Sequence, residues 1–295
     1  DFRLSSLPTQ HGESVVLRIL DRSQVTLDFA ALGFDDHLLT GLRDILTQPH
    51  GMLLVTGPTG SGKTTTLYGA LTELNSPTKK ILTIEDPIEY QLPGINQVQV
   101  KPGIGLTFAN ALRSFLRQNP NIIMVGEIRD LETAEIAVQA ALTGHLILST
   151  LHTNDAASAI TRLLDMGVED FLLTSTINGV VAQRLVRTLC ATCREPVQPE
   201  PGSLKGMVGE APTVLYRSIG CSACGGTGYR GRTAILEILV VTDAIRRLIR
   251  ERADEGAIRR AASADGMRTM RQHGFDKVRA GVTTVDEILG ATQDI

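Results

Sequence analysis

The sequence predicts an α/β fold built on a parallel sheet covered by helices on both faces. Three observations predict it. Short continuous apolar runs at Met52–Thr56, Lys80–Ile84, Ile122–Val125 and Leu146–Leu151 alternate with segments of helical spacing. Strands apolar on both faces belong to buried parallel sheets. A glycine-rich stretch, Gly57–Thr64, lies between the first run and a helical segment, and polar caps and Gly or Pro stops punctuate the helices that follow.

Size and composition bound the rest. The chain has 295 residues, enough for roughly two domains. Hydrophobic residues make up 42% and charged residues 21%, which excludes a largely disordered chain. No apolar run approaches the ~18 residues of a membrane span. Net charge is −3, aromatics are 4% and there is no Trp. A basic nucleic-acid surface with stacking platforms is therefore not expected, and no nucleic-acid partner is predicted. The chain opens on Asp1 rather than Met, without a signal sequence, and reads as a fragment whose start lies upstream.

In order along the chain, Phe2–Leu7 and Glu13–Leu20 read as two strands joined at a turn marked by Pro8 and Gly12. Asp28–Phe34 reads as a linker. From Asp35 the strand–helix alternation begins. A helix over Thr64–Leu74 follows the glycine-rich stretch, Thr107 caps a helix over Phe108–Gln118, and Asp130 caps another over Leu131–Leu142 stopped by Gly144. Asp155–Met166 is helical and ends at Gly167. Residues 190–232 are rich in Pro and Gly and carry all four cysteines. Helices are expected over Ala244–Arg252, Glu255–Ala264, Met267–Ala280 and Val285–Ala291.

Gly57-Pro-Thr-Gly-Ser-Gly-Lys-Thr64 matches G-x-x-x-x-G-K-[ST] and follows a strand and opens a helix, as a phosphate loop must. Gly57, Pro58, Thr59, Gly60, Ser61, Gly62, Lys63, Thr64 and Thr65 are therefore expected to bind a nucleotide. The glycines let the backbone wrap a phosphate chain with its N–H groups inward, and the helix dipole adds to the attraction. Lys63 is expected on the β- and γ-phosphates of ATP and Thr64 on Mg²⁺. A Gly-rich turn that binds nothing is the plainer alternative.

Such a loop needs acids on neighbouring strands. Ile122-Ile-Met-Val-Gly-Glu127 ends an apolar strand with a carboxylate, where ligands bind in doubly wound sheets. Gly126 stands where many such sequences carry Asp, so Glu127 is expected to be the working acid. Ile84-Glu-Asp-Pro-Ile-Glu89 ends another strand with three carboxylates. Glu85 is favoured as functional, with Asp86 and Glu89 left open. His152 ends the strand at Leu146–Leu151 and is a site candidate on the same ground, whereas His145 begins that strand.

Cys190-x-x-Cys193 and Cys221-x-x-Cys224 are two knuckles with 27 residues between them. Two such knuckles converging on one ion make a closed tetrahedral S₄ site suited to Zn²⁺. Redox disulfides or free thiols are the alternative, and paired cysteines of this kind fit a reducing compartment.

The segments G-P-T-G-S-G-K-T, I-E-D-P-I-E, I-I-M-V-G-E-I-R-D and G-H-L-I-L-S-T-L-H-T-N, in this order, resemble the Walker A, Asp, Walker B and His boxes of the secretion ATPase superfamily. The resemblance continues through A-Q-R-L-V-R-T-L-C at 182–190 and G-Y-R-G-R-T-A-I-L-E at 228–237 and covers nearly the whole chain. It is nearest to the type II secretion ATPases, with type IV pilus assembly ATPases second. It implies a RecA-like P-loop NTPase core over 31–189, a tetracysteine zinc subdomain over 190–232, a helical C-terminal subdomain over 233–295, and over 1–30 the end of a truncated N-terminal α+β domain with its linker. It implies a hexameric cytoplasmic motor, peripheral at the bacterial inner membrane. ATP hydrolysis between subunits would drive pseudopilus assembly through an inner-membrane platform protein and a cytoplasmic-membrane anchor protein. Arg3 and Arg18 match arginine fingers of the family, while Arg113, Arg117 and Arg129 fall in family motifs without an assigned role. The zinc subdomain, absent from retraction motors, agrees with an assembly-type motor. Two other functions compete with a motor: a nucleotide-binding scaffold with little turnover, if Gly126 weakens the acid set, and a nucleic-acid translocase.

Overall fold

The computed structural model describes residues 2–19, 27–199, 212 and 214–293. Strands β1 (Phe2–Thr9) and β2 (Gly12–Ile19) pair antiparallel as a ribbon. There follow α1 (Phe29–Leu32), α2 (Asp36–Leu46), β3 (Gly51–Thr56), α3 (Lys63–Leu74), β4 (Ile81–Glu85), β5 (Asn96–Gln99), α4 (Phe108–Phe115), β6 (Ile122–Val125), α5 (Leu131–Leu142), β7 (Leu146–Leu151), α6 (Ala156–Asp165), α7 (Asp170–Thr176) and β8 (Ile177–Leu189). The chain closes with β9 (Glu195–Val197), β10 (Leu215–Arg217), β11 (Tyr229–Val240) and helices α8 (Asp243–Arg250), α9 (Glu255–Ala264), α10 (Met270–Arg279) and α11 (Val285–Ala291).

Seven strands form the central sheet in the order β11-β8-β3-β7-β6-β4-β5. The expectation of a parallel sheet needs one correction. The six strands from β8 to β5 are parallel, but β11 pairs antiparallel with β8, so the sheet is mixed. Alternation along the buried strand β3 divides the core. Met52 and Leu54 pack into one apolar cluster with α4, α5, α6 and the C-terminal helices, while Leu53 and Val55 pack into a second with α1, α2 and α3. Both faces are thus covered, which is why β3 reads as an unbroken apolar run.

Three further departures have local causes. Asp28–Phe34 is not a simple linker. The Asp28 carboxylate accepts the Ala31 N–H to cap α1, and Phe29 and Phe34 are buried with ring centroids 5.1 Å apart. Helix α10 begins at Met270 rather than Met267, because Thr269 and Gln272 form a reciprocal capping box. Residues 229–240 are one continuous strand of the central sheet, so β11 crosses the expected boundary at 232/233.

Strand β11 also ties two helices to the sheet. Glu237 is 2% exposed. Its Oε1 accepts the Ala156 N–H at 2.9 Å and its Oε2 the Met270 N–H at 2.9 Å, so one carboxylate serves the N-termini of both α6 and α10. Burial pushes this carboxyl above its ordinary range and the two N–H groups oppose the shift. Helix N-termini favour a negative charge, and an unpaired buried N–H is costly. Glu237→Ala is expected to lower unfolding stability by roughly 3 kcal/mol, from charge-assisted bonds worth about 1.5–3 kcal/mol each. A urea melt of the variant with the parent's midpoint would contradict this clamp.

Candidate nucleotide site and tetracysteine cluster

The loop between β3 and α3 builds the site. Gly57, Gly60 and Gly62 have φ of 146°, 80° and 90°, values that glycine adopts without strain. A Cβ on Gly57 would lie 2.3 Å from the Gln183 carbonyl oxygen. Gly62 provides no side-chain cap for α3, which leaves the first-turn N–H groups of that helix to serve an anion. Residues Thr59 to Thr65 line a cavity of about 800 Å³. Gly57 and Pro58 hold the Lys63 ammonium through their carbonyls, at 2.7 and 3.2 Å. Burial lowers the Lys63 pKa and the Glu127 charge opposes that shift. Ser61 Oγ is buried without a hydrogen-bond partner. A cradle of left-handed glycines around an ammonium and an orphaned hydroxyl fits a phosphate chain.

Gln183 of β8 holds the loop from below. Its Nε2 donates to the Ser61 carbonyl at 2.6 Å and its Oε1 accepts from Thr66 Oγ1 at 2.8 Å. Sequence reasoning gave Gln183 no role; the available signal was an amide directly after the apolar run Val180–Ala182.

The acids arrive from strand ends. Gly126 donates its N–H to the Ile84 carbonyl at 2.8 Å. A Cβ there would meet the Ile84 oxygen at 3.2 Å and Glu85 Cα at 3.4 Å. Glycine at 126 therefore lets the ends of β6 and β4 close on each other. Glu127, with its side chain 12% exposed, pairs with Arg129 and lies 3.5 Å from His152 Nε2. Lys63, Glu85, Glu127, Arg129 and His152 all line the one cavity. Arg129, which the sequence left without a role, is thus a member of the site. His145 lies at the start of β7, where its Nδ1 sits 2.8 Å from the Ala140 carbonyl.

Glu85 is 3% exposed. Its Oε1 accepts from Thr83 Oγ1 at 2.5 Å and Gln97 Nε2 at 3.1 Å, and its Oε2 accepts from the Tyr68 hydroxyl. Asp86 and Glu89 also line the cavity, and the Asp86–Pro87 bond is cis. Arg3 and Arg18 stand opposite each other in the β1–β2 ladder. Their side chains lie outside the described residues, so the finger assignment is carried forward only as a proposal.

The cysteines close a second site. Cys190 follows β8 directly, and its N–H donates to the Gly228 carbonyl at 2.9 Å just before β11 begins. The excursion between the two strands is thus pinned at its base. The four Sγ atoms lie within 4.8 Å of one another, with closest pairs at 3.8, 3.8 and 3.9 Å. A tetrahedral ion with metal–sulfur bonds of about 2.3 Å requires sulfurs about 3.8 Å apart, so the residues present fit such an ion and suggest zinc. A Cβ on Gly220 would meet the Gly226 oxygen at 2.4 Å, which explains glycine beside the second knuckle. Backbone N–H groups of Cys221 and Gly228 push the Cys224 thiol down to about 6, whereas burial pushes Cys193 up to about 11.

The chain also matches known proteins over its length. The family model described as Type II/IV secretion system protein matches residues 1–290. The chain is 57% identical to the type II secretion system protein E of Xanthomonas campestris pv. campestris, over all of this chain and 53% of that protein. It is 52% identical to the type II secretion system ATPase E of Vibrio cholerae serotype O1, over all of this chain and 59% of that protein. It thus spans little more than half the length of these curated relatives. Among solved structures it resembles the pilus retraction motor PilT with bound ADP, at a TM-score of 0.71 and 31% identity, over 99% of this chain and 74% of that one.

The electrostatics of the cavity can be read at His152. Its pKa is lowered, first by burial and next by the Lys63 charge, with Glu127 opposing. His152 is expected to titrate below the ordinary imidazole range by NMR, and Lys63→Met should move that midpoint upward. A midpoint that does not respond to Lys63 would place the two side chains in separate environments.

Proposed function

This chain belongs to the type II/IV secretion system protein family, and we propose that it is the motor portion of a type II secretion ATPase, which hydrolyses ATP to power protein export. One observation carries the reading. The loop after β3, the acids ending β4 and β6 and the histidine ending β7 line a single cavity of about 800 Å³. In this reading loop N–H groups and Lys63 would bind the β- and γ-phosphates, and Thr64 and Glu127 would hold Mg²⁺. The ion would neutralise charge developing on the phosphate oxygens. Glu127 and Glu85 orient a water whose oxygen bonds to the γ-phosphorus as the bond to the bridging oxygen breaks, its electron pair leaving on ADP and the water proton passing to the Glu85 carboxylate. Arg3 and Arg18 serve as fingers between domains or subunits of a hexamer. The partners are an inner-membrane platform protein and a membrane-anchor protein, with the motor on the cytoplasmic side. Among the described residues no helix is long and apolar enough to cross a membrane, so membrane contact in this reading runs through those partners.

Glu127→Gln is expected to lower kcat at least about 100-fold, the lower range for losing a general base or its equivalent, while ATP still binds. Specific activity should climb with protein concentration as the ring assembles. A variant that turns over like the parent removes Glu127 from the chemistry. Activity per chain that stays flat across the assembly range removes the obligate ring.

The tetracysteine cluster is proposed to bind structural Zn²⁺, holding the 190–232 excursion closed. Cys221→Ser should lose the metal, measured by elemental analysis, and make 190–232 exchange amide hydrogens faster, with nucleotide affinity unchanged. One equivalent of zinc retained by the variant would contradict an S₄ site.

A further inference from the structure

Tyr68 lies one helical turn beyond Thr64, on the same face of α3. Its side chain is wholly buried, with its ring edge-on to Tyr90 at 5.9 Å between centroids. The phenol oxygen accepts the Glu89 backbone N–H at 3.3 Å. Gln97 Nε2 also donates to that oxygen, at 3.5 Å, and the single O–H donates to Glu85 Oε2, the acceptor beside it. The other carboxylate oxygen is full, because Thr83 and Gln97 supply donors for both of its acceptor positions. Glu85 therefore keeps one acceptor position, on Oε2 beside the Tyr68 bond, and its residue forms part of the cavity wall.

We infer that Tyr68 is a positioning residue, which aims the last free acceptor position of Glu85 at the water that attacks the γ-phosphorus. The inference rests on the ATPase reading above. In the step itself the water oxygen bonds to phosphorus and the bridging bond breaks toward ADP. The water proton directed at Glu85 passes to that carboxylate and on to solvent. Tyr68 neither gains nor loses a proton. Burial raises its hydroxyl pKa far above the ordinary phenol range, so it remains a donor throughout.

The experiment is steady-state ATP hydrolysis by the full chain, its Tyr68→Phe and Glu85→Gln variants and the double variant, beside titration with a fluorescent ADP analogue. Phenylalanine keeps the ring and removes only the hydroxyl. Tyr68→Phe is expected to lower kcat about tenfold or more, as misdirected reacting groups do, with KM and ADP affinity within about twofold of the parent. Glu85→Gln is expected to lose about 100-fold, and the double variant should be no slower than Glu85→Gln alone, since both changes act on one group. Thr83→Val, which removes a different donor to the same carboxylate, should repeat the kcat-only loss and stands in if Tyr68→Phe does not fold. Parental kcat in Tyr68→Phe, independent losses in the double variant, or an ADP affinity that falls along with kcat would each overturn the inference while leaving the ATPase reading in place. A parent chain that binds the ADP analogue but never hydrolyses ATP would overturn the ATPase reading and this inference with it.

Discussion

The register of β8 on β3 is the constraint on which the rest depends. Ala182 pairs with Thr56, the last residue of β3, and across the other edge of β8 with Glu237 of β11. Gln183 therefore falls one residue beyond β3, directly under the loop, where its amide bonds Ser61 and Thr66. A slip of one residue would turn Gln183 to the opposite face of the sheet and leave the Ser61 carbonyl without its donor. Farther along β8, Arg187 makes a two-point contact with Glu287 of α11, and the strand delivers Cys190 to its cluster. Loop, cysteine cluster and C-terminal helices thus share one strand.

That arrangement also accounts for two of the polar residues buried in the sheet. Gln183 and Glu237 interrupt apolar runs, and neither reaches solvent. Each bonds through both of its polar side-chain atoms to an element held against the sheet: the loop after β3 and the start of α3 in one case, helices α6 and α10 in the other. Buried polar groups bonded in this way fix one arrangement among many that apolar packing alone would tolerate. The loop after β3 is held by Gln183 of β8 as well as shaped by its own glycines.

Strands β4, β6 and β7 were legible because a strand buried on both faces reads as a continuous apolar run, and a carboxylate or imidazole at its end marks the ligand side. The phosphate loop and the cysteine pairs were legible because their spacing is tied to a local geometry. Strand β5, N-Q-V-Q, was not, since an edge strand without a fully buried residue carries no apolar signature. Strands β8 and β11 were missed as a pair because the cysteine excursion separates them, and pairing at that distance leaves no local trace. Gly126 looked like a defect in an acidic motif; the contact of β6 with the Ile84 carbonyl and Glu85 supplies its reason. Tyr68, Thr83 and Gln97 converge on Glu85 from three elements, a convergence that exists only after folding.

The charges on the cavity wall bear on how such a site would operate. Glu85, Asp86, Glu89 and Glu127 face Lys63, Arg129 and Arg232. Arg129 is paired to Glu127, and Lys63 is drawn into the loop by two carbonyls. A nucleoside triphosphate adds several negative charges to a wall already rich in carboxylates. Backbone N–H groups and a helix dipole supply only fractional positive charge. On the proposed reading, a divalent cation and further arginines are therefore electrostatic requirements of binding and turnover, because in a partly dry cavity an uncompensated anion is costly. Arginines brought by another domain or subunit would complete the charge set only when the ring closes. Turnover would then be tied to assembly without any separate switch.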